Sequence, residues 1–294
     1  MPIQRRHILA AATAAFLACF VNWAHADEVN PQRFTVAVEG QGPDVILIPG
    51  RGSSRETYAA EASHLRATHR LHLVQINGFA GQPAGANAQG EIIAPFVEEL
   101  DQYIKAQHLD HPAVIGHSMG GLAGLMLARR HPEDLSRLLV VDALPFFSVL
   151  FHPAATVENV TPQAAGMRDQ VIALPDANFA AMQQAGVARL VLNPDNRPTI
   201  AAWTLASDRA VFARAMYEDM TTDMRSEIAQ IQTPITVLYA YDTTMGPQAG
   251  VDALWHNAYA SAPHATLTRI DGSYHFIMFD QPAAFDTAVQ TFLR

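Results

Sequence analysis

A serine, a histidine and a carboxylate are the residues of this chain whose surroundings suit nucleophilic chemistry. Ser118 lies in the sequence Gly116-His117-Ser118-Met119-Gly120, directly after a short apolar run. A serine hydroxyl attacks a carbonyl carbon efficiently only when a base takes its proton and N–H groups stabilise the resulting oxyanion. The two glycines leave room for a tight strand-to-helix turn that would expose the hydroxyl to both. Ser118 is therefore the candidate nucleophile.

The candidate base is His275, which follows a Gly-Ser turn and comes shortly before the last predicted helix. A base of this kind needs a carboxylate that holds its imidazole in one tautomer. Asp242 ends the apolar run 235–241, and Asp142 ends the shorter run 139–141. Asp242 and Asp142 are therefore both candidates for the acid.

Short apolar runs alternate with helical stretches along most of the chain, which is typical of a largely parallel sheet with helices on both faces. Apolar residues recur at helical spacing in 91–108 and in 283–293. The predicted strands are 34–38, 45–48, 71–76, 113–115, 138–141, 235–241 and 265–270.

One interval, 144–222, lacks strand patterns and is rich in Met, Phe, Ala and Gln. We interpret it as a helical cap inserted into an α/β core formed by 27–143 and 223–294. The aromatic and methionine side chains of this cap are expected to form an apolar pocket over Ser118.

The motifs, taken in order, resemble those of the α/β-hydrolase family over nearly all of the chain after residue 26. The resemblance rests on the segments 46–54, 116–121, 234–242 and 272–276. It implies the α/β-hydrolase fold with a helical cap and a catalytic triad of Ser118, His275 and Asp242. It also implies an oxyanion hole formed by the backbone N–H groups of Arg51 and Met119. The chain departs from the family's pattern at Pro49, where histidine is common, and at Ala240, where glycine is usual.

The resemblance also implies a reaction. Haloalkane dehalogenases and epoxide hydrolases of the family carry an aspartate where this chain has Ser118. We therefore expect hydrolysis of a small carboxylic ester, lactone or thioester through an acyl-enzyme. Two alternatives stay open: a peptidase or amidase that uses acidic cap residues to bind a substrate amino terminus, and a non-catalytic ligand-binding protein of the same fold.

The charge balance argues against a nucleic-acid partner. The chain has 28 acidic and 19 basic residues and a formal net charge of −9, and phosphate binding needs basic patches. No cofactor and no metal site is predicted, because the sequence lacks a ligand cluster with metal spacing. The expected partner is a small-molecule ester.

The first 26 residues have the pattern of an export signal. Arg5 and Arg6 precede an apolar run at 8–21, and Ala24-His25-Ala26 resembles a cleavage site. The two arginines resemble a twin-arginine signal. We expect cleavage before Asp27, a periplasmic or secreted protein, and no membrane span in the mature chain.

Overall fold

The computed structural model describes residues 31–294, so the predicted signal peptide at 1–26 lies outside the described residues and stays a prediction. Within this part of the chain, seven strands form one sheet in the order β1-β3-β2-β4-β5-β6-β7. The first strand is antiparallel to its neighbour, and the other pairs are parallel. The strands are β1 Phe34–Gly40, β2 Asp44–Ile48, β3 Arg70–Ile76, β4 Ala113–His117, β5 Arg137–Val141, β6 Ile235–Tyr241 and β7 Ala265–Asp271. Each strand predicted from the sequence is confirmed.

The central strands are apolar on both faces because helices cover both sides of the sheet. Successive residues of a strand point to opposite faces, so β2 sends Ile46 and Ile48 into one apolar cluster and Val45 and Leu47 into the other. The edge strand β1 instead alternates buried, partly buried and exposed positions.

The helices outside the cap segment are α1 Ala59–Leu65, α2 Ile93–Ala106, α3 Met119–Arg130, α8 Gln248–Ala258, α9 Ile277–Asp280 and α10 Pro282–Leu293. Helix α2 shows why these segments fold as they do. It buries Phe96, Leu100 and Ile104, which recur every four residues and thus lie on one face. None of the helices in 31–294 is long and apolar enough to cross a bilayer.

No strand lies between β5 and β6 in the described chain, and the α-helices there are α4 Val157–Ala173, α5 Asp176–Val187, α6 Arg197–Leu205 and α7 Arg209–Thr221. Helix α7 covers the carboxyl edge of the sheet. Its Phe212 ring packs on Gly52, where a Cβ atom would lie 2.9 Å from the ring. The backbone N–H of Asp208 donates to the carbonyl of Gly78 at 2.7 Å. Both glycines lie in loops that follow parallel strands, so α7 lies where the predicted helical cap would, and the cap bounds 144–222 stay a prediction.

Candidate active site

Ser118 lies where β4 ends and α3 begins, with φ 53° and ψ −126°. This positive φ is strained for a residue with a side chain and persists only where the surroundings impose it. The backbone N–H of Ser118 donates to Val141 O at 2.9 Å. Glycine is needed on both sides, because a Cβ atom on Gly116 would lie 2.2 Å from Gly120 O and one on Gly120 would lie 2.4 Å from Ile48 O. The tight strand-to-helix turn predicted for Ser118 is present.

His275 pairs with Asp142. The imidazole Nδ1 lies 2.7 Å from Asp142 Oδ2, and both side chains are largely buried. The other oxygen of Asp142 accepts a hydrogen bond from the backbone N–H of Ala240 at 2.9 Å. Each carboxylate oxygen therefore has a donor, which fixes the plane of the carboxylate and the orientation of the imidazole.

The structure corrects the pairing predicted for Asp242. Its carboxylate accepts hydrogen bonds from the backbone N–H of Thr244 at 2.9 Å and from the Thr244 hydroxyl at 2.6 Å. The hydroxyl bond is the main reason that the pKa of Asp242 is lowered. Asp242 thus caps the short turn Thr243–Met245, as aspartate commonly does at the start of a turn, and Asp142 holds His275.

A buried histidine beside the nucleophile, His117, was missed in the sequence. Its Nε2–H donates to the carbonyl of His275 at 3.0 Å, and the two rings lie 4.5 Å apart between centroids. Burial lowers the pKa of His117 well below its usual range, so this residue is neutral. It connects the loop 272–276, which carries the candidate base His275 and is called the base loop here, to the turn of Ser118. The position of His117 next to the serine was the signal available in the sequence.

The base loop is also connected to the cap through Asp280. Its carboxylate accepts from the backbone N–H groups of Tyr274, Leu192 and Asn193, each at 2.9 Å. The first donor precedes His275, and the other two lie between α5 and α6. Asp280 therefore fixes the loop that carries the base.

The backbone N–H groups of Met119 and Arg51 are the candidates for an oxyanion hole. Met119 follows the nucleophile at the first position of α3, and Arg51 follows Gly50 in the loop after β2. A Cβ atom on Gly50 would lie 3.0 Å from the Cβ atom of Ser118, so this loop reaches the nucleophile. Within residues 31–294, no carbonyl or side chain accepts a hydrogen bond from either N–H.

The acidic cap residues that a peptidase pocket would need mostly serve other purposes. The carboxylate of Glu218 accepts from the first N–H groups of α2 at 2.8–3.0 Å, and Asp208 caps α7. Asp176 forms an ion pair with Arg209. Asp219 differs from these three residues, because it is 6% exposed and interacts electrostatically with Arg51 and His275.

In the described part of the chain, the side chains with metal-like spacing are Asp101, His131 and Asp134. They lie near the end of α3 opposite to Ser118. The ammonium group of Lys105 already contacts both carboxylates, so a cation is built into this cluster and it has no part in the candidate active site.

The model of the "Alpha/beta hydrolase family" matches residues 45–288. A pimeloyl-[acyl-carrier protein] methyl ester esterase of Vibrio atlanticus is 26% identical over 220 residues, which cover 69% of this chain and 77% of that protein.

Solved structures show the same fold. The enol-lactonase from Burkholderia xenovorans LB400 superposes with a TM-score of 0.72 at 18% identity, covering 88% of this chain and 96% of that one. An esterase from Exiguobacterium antarcticum gives 0.73 at 14% identity, with coverages of 89% and 97%.

Proposed function

The chain belongs to the alpha/beta hydrolase family, and from this premise we propose that it is a serine hydrolase that cleaves small carboxylic esters. The observation that carries the proposal is the His275–Asp142 pair at 2.7 Å, next to a serine with φ 53°. The esterase relative and the esterase and lactonase structures support an ester or lactone substrate.

The proposed reaction begins with proton transfer from the Ser118 hydroxyl to Nε2 of His275. Asp142 accepts from Nδ1–H, so it holds the tautomer in which Nε2 is free to accept. The serine oxygen bonds to the ester carbonyl carbon, and the N–H groups of Arg51 and Met119 stabilise the negative charge that develops on the carbonyl oxygen.

Collapse of this tetrahedral intermediate breaks the bond to the alcohol oxygen, which takes the proton from His275. The acyl group stays on Ser118. A water molecule then gives a proton to His275 and attacks the acyl carbon, and the acid leaves as the serine recovers its proton. No metal or cofactor is needed for any of these steps.

The test combines covalent labelling with turnover. The wild-type protein should react with a fluorophosphonate probe at Ser118 and hydrolyse nitrophenyl esters of short acids. Ser118→Ala should not be labelled and should lose turnover by a factor of about 10³ or more, because the nucleophile is absent.

Ser63→Ala is the matched control, since Ser63 is an exposed serine on α1, and it should behave as wild type. Retained turnover in folded Ser118→Ala protein, or probe attachment at another residue, would contradict the proposal. A folded wild-type protein that is neither labelled nor active would favour the non-catalytic alternative.

A further inference from the structure

The side chain of Arg51 has donors that nothing in the described chain uses. Its Nε and Nη1 atoms are buried and have no hydrogen-bond partner among residues 31–294. A guanidinium group stays charged in proteins and has five N–H donors. Burying such a group without acceptors costs free energy, and an acceptor supplied by a bound ligand would offset this cost.

The guanidinium lies between the nucleophile turn and the cap. Arg51 follows Gly50, which approaches Ser118 closely enough that a Cβ atom there would lie 3.0 Å from the serine Cβ atom. From this loop the side chain extends to α7, where its Cζ atom lies 5.0 Å from the centre of the Phe212 ring. The aromatic ring contributes a cation–π contact and supplies no acceptor.

The nearest opposite charge does not satisfy the guanidinium. Asp219 lies two turns after Phe212 on α7 and interacts electrostatically with both Arg51 and His275. No ion pair within 4.0 Å joins Asp219 to Arg51 in the structure described for residues 31–294. Burial raises the pKa of Asp219, and the charge of Arg51 offsets only part of this rise.

Two arginines of the cap, by contrast, use their donors to hold the fold together. Arg214 donates to the carbonyls of Gly90 and Asn87, which connects α7 to the core. Arg209 donates to Leu174 O and Asp176. Arg51 makes no such contact within residues 31–294, and the residue keeps some exposed surface.

We propose that the guanidinium of Arg51 binds a carboxylate group of the substrate, so that the preferred esters are half-esters of short dicarboxylic acids or lactones with a free carboxylate. This inference rests on the proposed ester hydrolysis and adds the substrate class. A planar guanidinium matches a carboxylate through two parallel hydrogen bonds. The carboxylate would supply the acceptors that the protein lacks, and it would lie close to the acyl carbon because Arg51 begins beside Ser118.

The test compares two esters whose acyl chains have the same number of carbon atoms. Mono-4-nitrophenyl glutarate carries a free carboxylate, and 4-nitrophenyl pentanoate does not. The wild-type enzyme should have the higher kcat/KM on the glutarate ester. Arg51→Met should lower the ratio of the two kcat/KM values by about 10- to 100-fold, the range for a lost hydrogen bond to a charged group, chiefly through KM. Arg51→Lys should recover part of the ratio, because it restores the charge without the planar fork.

Arg55→Met is the matched control. Arg55 lies four residues further along the same loop, and its side chain donates to the hydroxyl of Thr35. This variant should keep the wild-type ratio. Free glutarate should also inhibit pentanoate hydrolysis by the wild-type enzyme more strongly than by Arg51→Met, and this comparison does not need the anionic ester.

The outcomes separate this inference from the proposed function. Fluorophosphonate labelling of Ser118 and hydrolysis of the neutral ester report the serine hydrolase without reference to Arg51. If both are present and the wild-type enzyme prefers the neutral ester, or if Arg51→Met and Arg51→Lys lower both activities equally, carboxylate binding by Arg51 is wrong while the hydrolase stands. If neither is present, the proposed function fails first.

Discussion

Asp142 and Asp242 differ in the hydrogen bonds that surround their carboxylates. Asp142 has φ 49°, and its backbone N–H donates to Leu238 O at 2.8 Å, so the end of β5 is held against β6. One oxygen of its carboxylate accepts from the N–H of Ala240 on β6, and the other accepts from Nδ1–H of His275. The carboxylate of Asp242 instead serves its local turn, where Thr244 supplies two donors to one of its oxygens, and His275 pairs with Asp142.

The two aspartates can therefore be separated by matched substitutions. Asp142→Asn should lower kcat on a nitrophenyl ester by about 10³- to 10⁴-fold, because an amide at this position favours the wrong imidazole tautomer. Asp242→Asn should leave kcat within about twofold, the expectation for a residue outside the reacting groups. Steady-state kinetics of both variants, with circular dichroism to establish folding, provide the measurement. The reverse pattern would restore Asp242 as the acid.

The sequence predicted the serine, the histidine and two candidates for the acid, because strand ends and glycine turns leave local patterns. It could not decide between Asp142 and Asp242, since both follow an apolar strand in the same way. The difference lies in hydrogen bonds made across the sheet by Ala240 and within a turn by Thr244. The unused donors of Arg51 are also a property of packing, and sequence periodicity carries no signal for them.

The strands of the sheet could be predicted well from the sequence, because each is a short apolar run between turns. Helix α2 was predicted at 91–108 and occupies Ile93–Ala106. The cap was predicted only as a helical region. Its individual helices have weak apolar faces, since the segment packs partly on loops and partly on itself, so the boundaries of α4 to α7 follow from tertiary contacts.

The close approach of α3 to the loop after β2 makes a prediction about Gly120. A Cβ atom there would lie 2.4 Å from Ile48 O and 2.8 Å from Pro49 O, both backbone atoms that cannot rotate away. Gly120→Ala should lower the free energy of unfolding by about 1–3 kcal/mol, the usual cost of overpacking. It should also slow labelling of Ser118 by a fluorophosphonate, because the displaced loop carries Arg51.

Gly166→Ala is the control for this substitution. Gly166 lies inside α4, and a Cβ atom added there has no neighbour within 4 Å. It should raise the free energy of unfolding by about 0.5–1 kcal/mol through helix propensity. Urea unfolding of both variants gives the comparison, and equal stability of Gly120→Ala and wild type would show that the contact between α3 and the loop is not tight.

Two partly buried carboxylates accept hydrogen bonds that join distant parts of the chain across the whole molecule. Glu218 joins the cap to α2, and Asp280 joins the cap to the base loop. Glu61 on α1 differs, because it is 2% exposed and its Oε2 atom has no partner in the described chain. A charge at this position therefore costs stability that no hydrogen bond to another element offsets.

This cost makes global stability depend on pH in a defined direction. Burial raises the pKa of Glu61 from 4.5 to about 7, so the folded chain holds a proton that the unfolded chain releases at lower pH. The contribution of Glu61 to stability is therefore lost as the pH rises from about 4.5 to about 7 and stays lost above that range.

Glu61→Gln removes the titration and keeps the size of the side chain. The unfolding free energy of Glu61→Gln minus that of wild type should therefore be about 2–3 kcal/mol larger at pH 8 than at pH 5. Urea unfolding of both proteins at the two pH values measures this gain, and Glu56→Gln, at an exposed glutamate, controls for the loss of one negative charge. The difference between proteins is the informative quantity, because burial also raises the pKa of Asp134 to about 7 and gives the wild-type curve a second slope of the same sign. A Glu61→Gln advantage that is equal at pH 5 and pH 8 would mean that Glu61 is ionised in the folded protein at both.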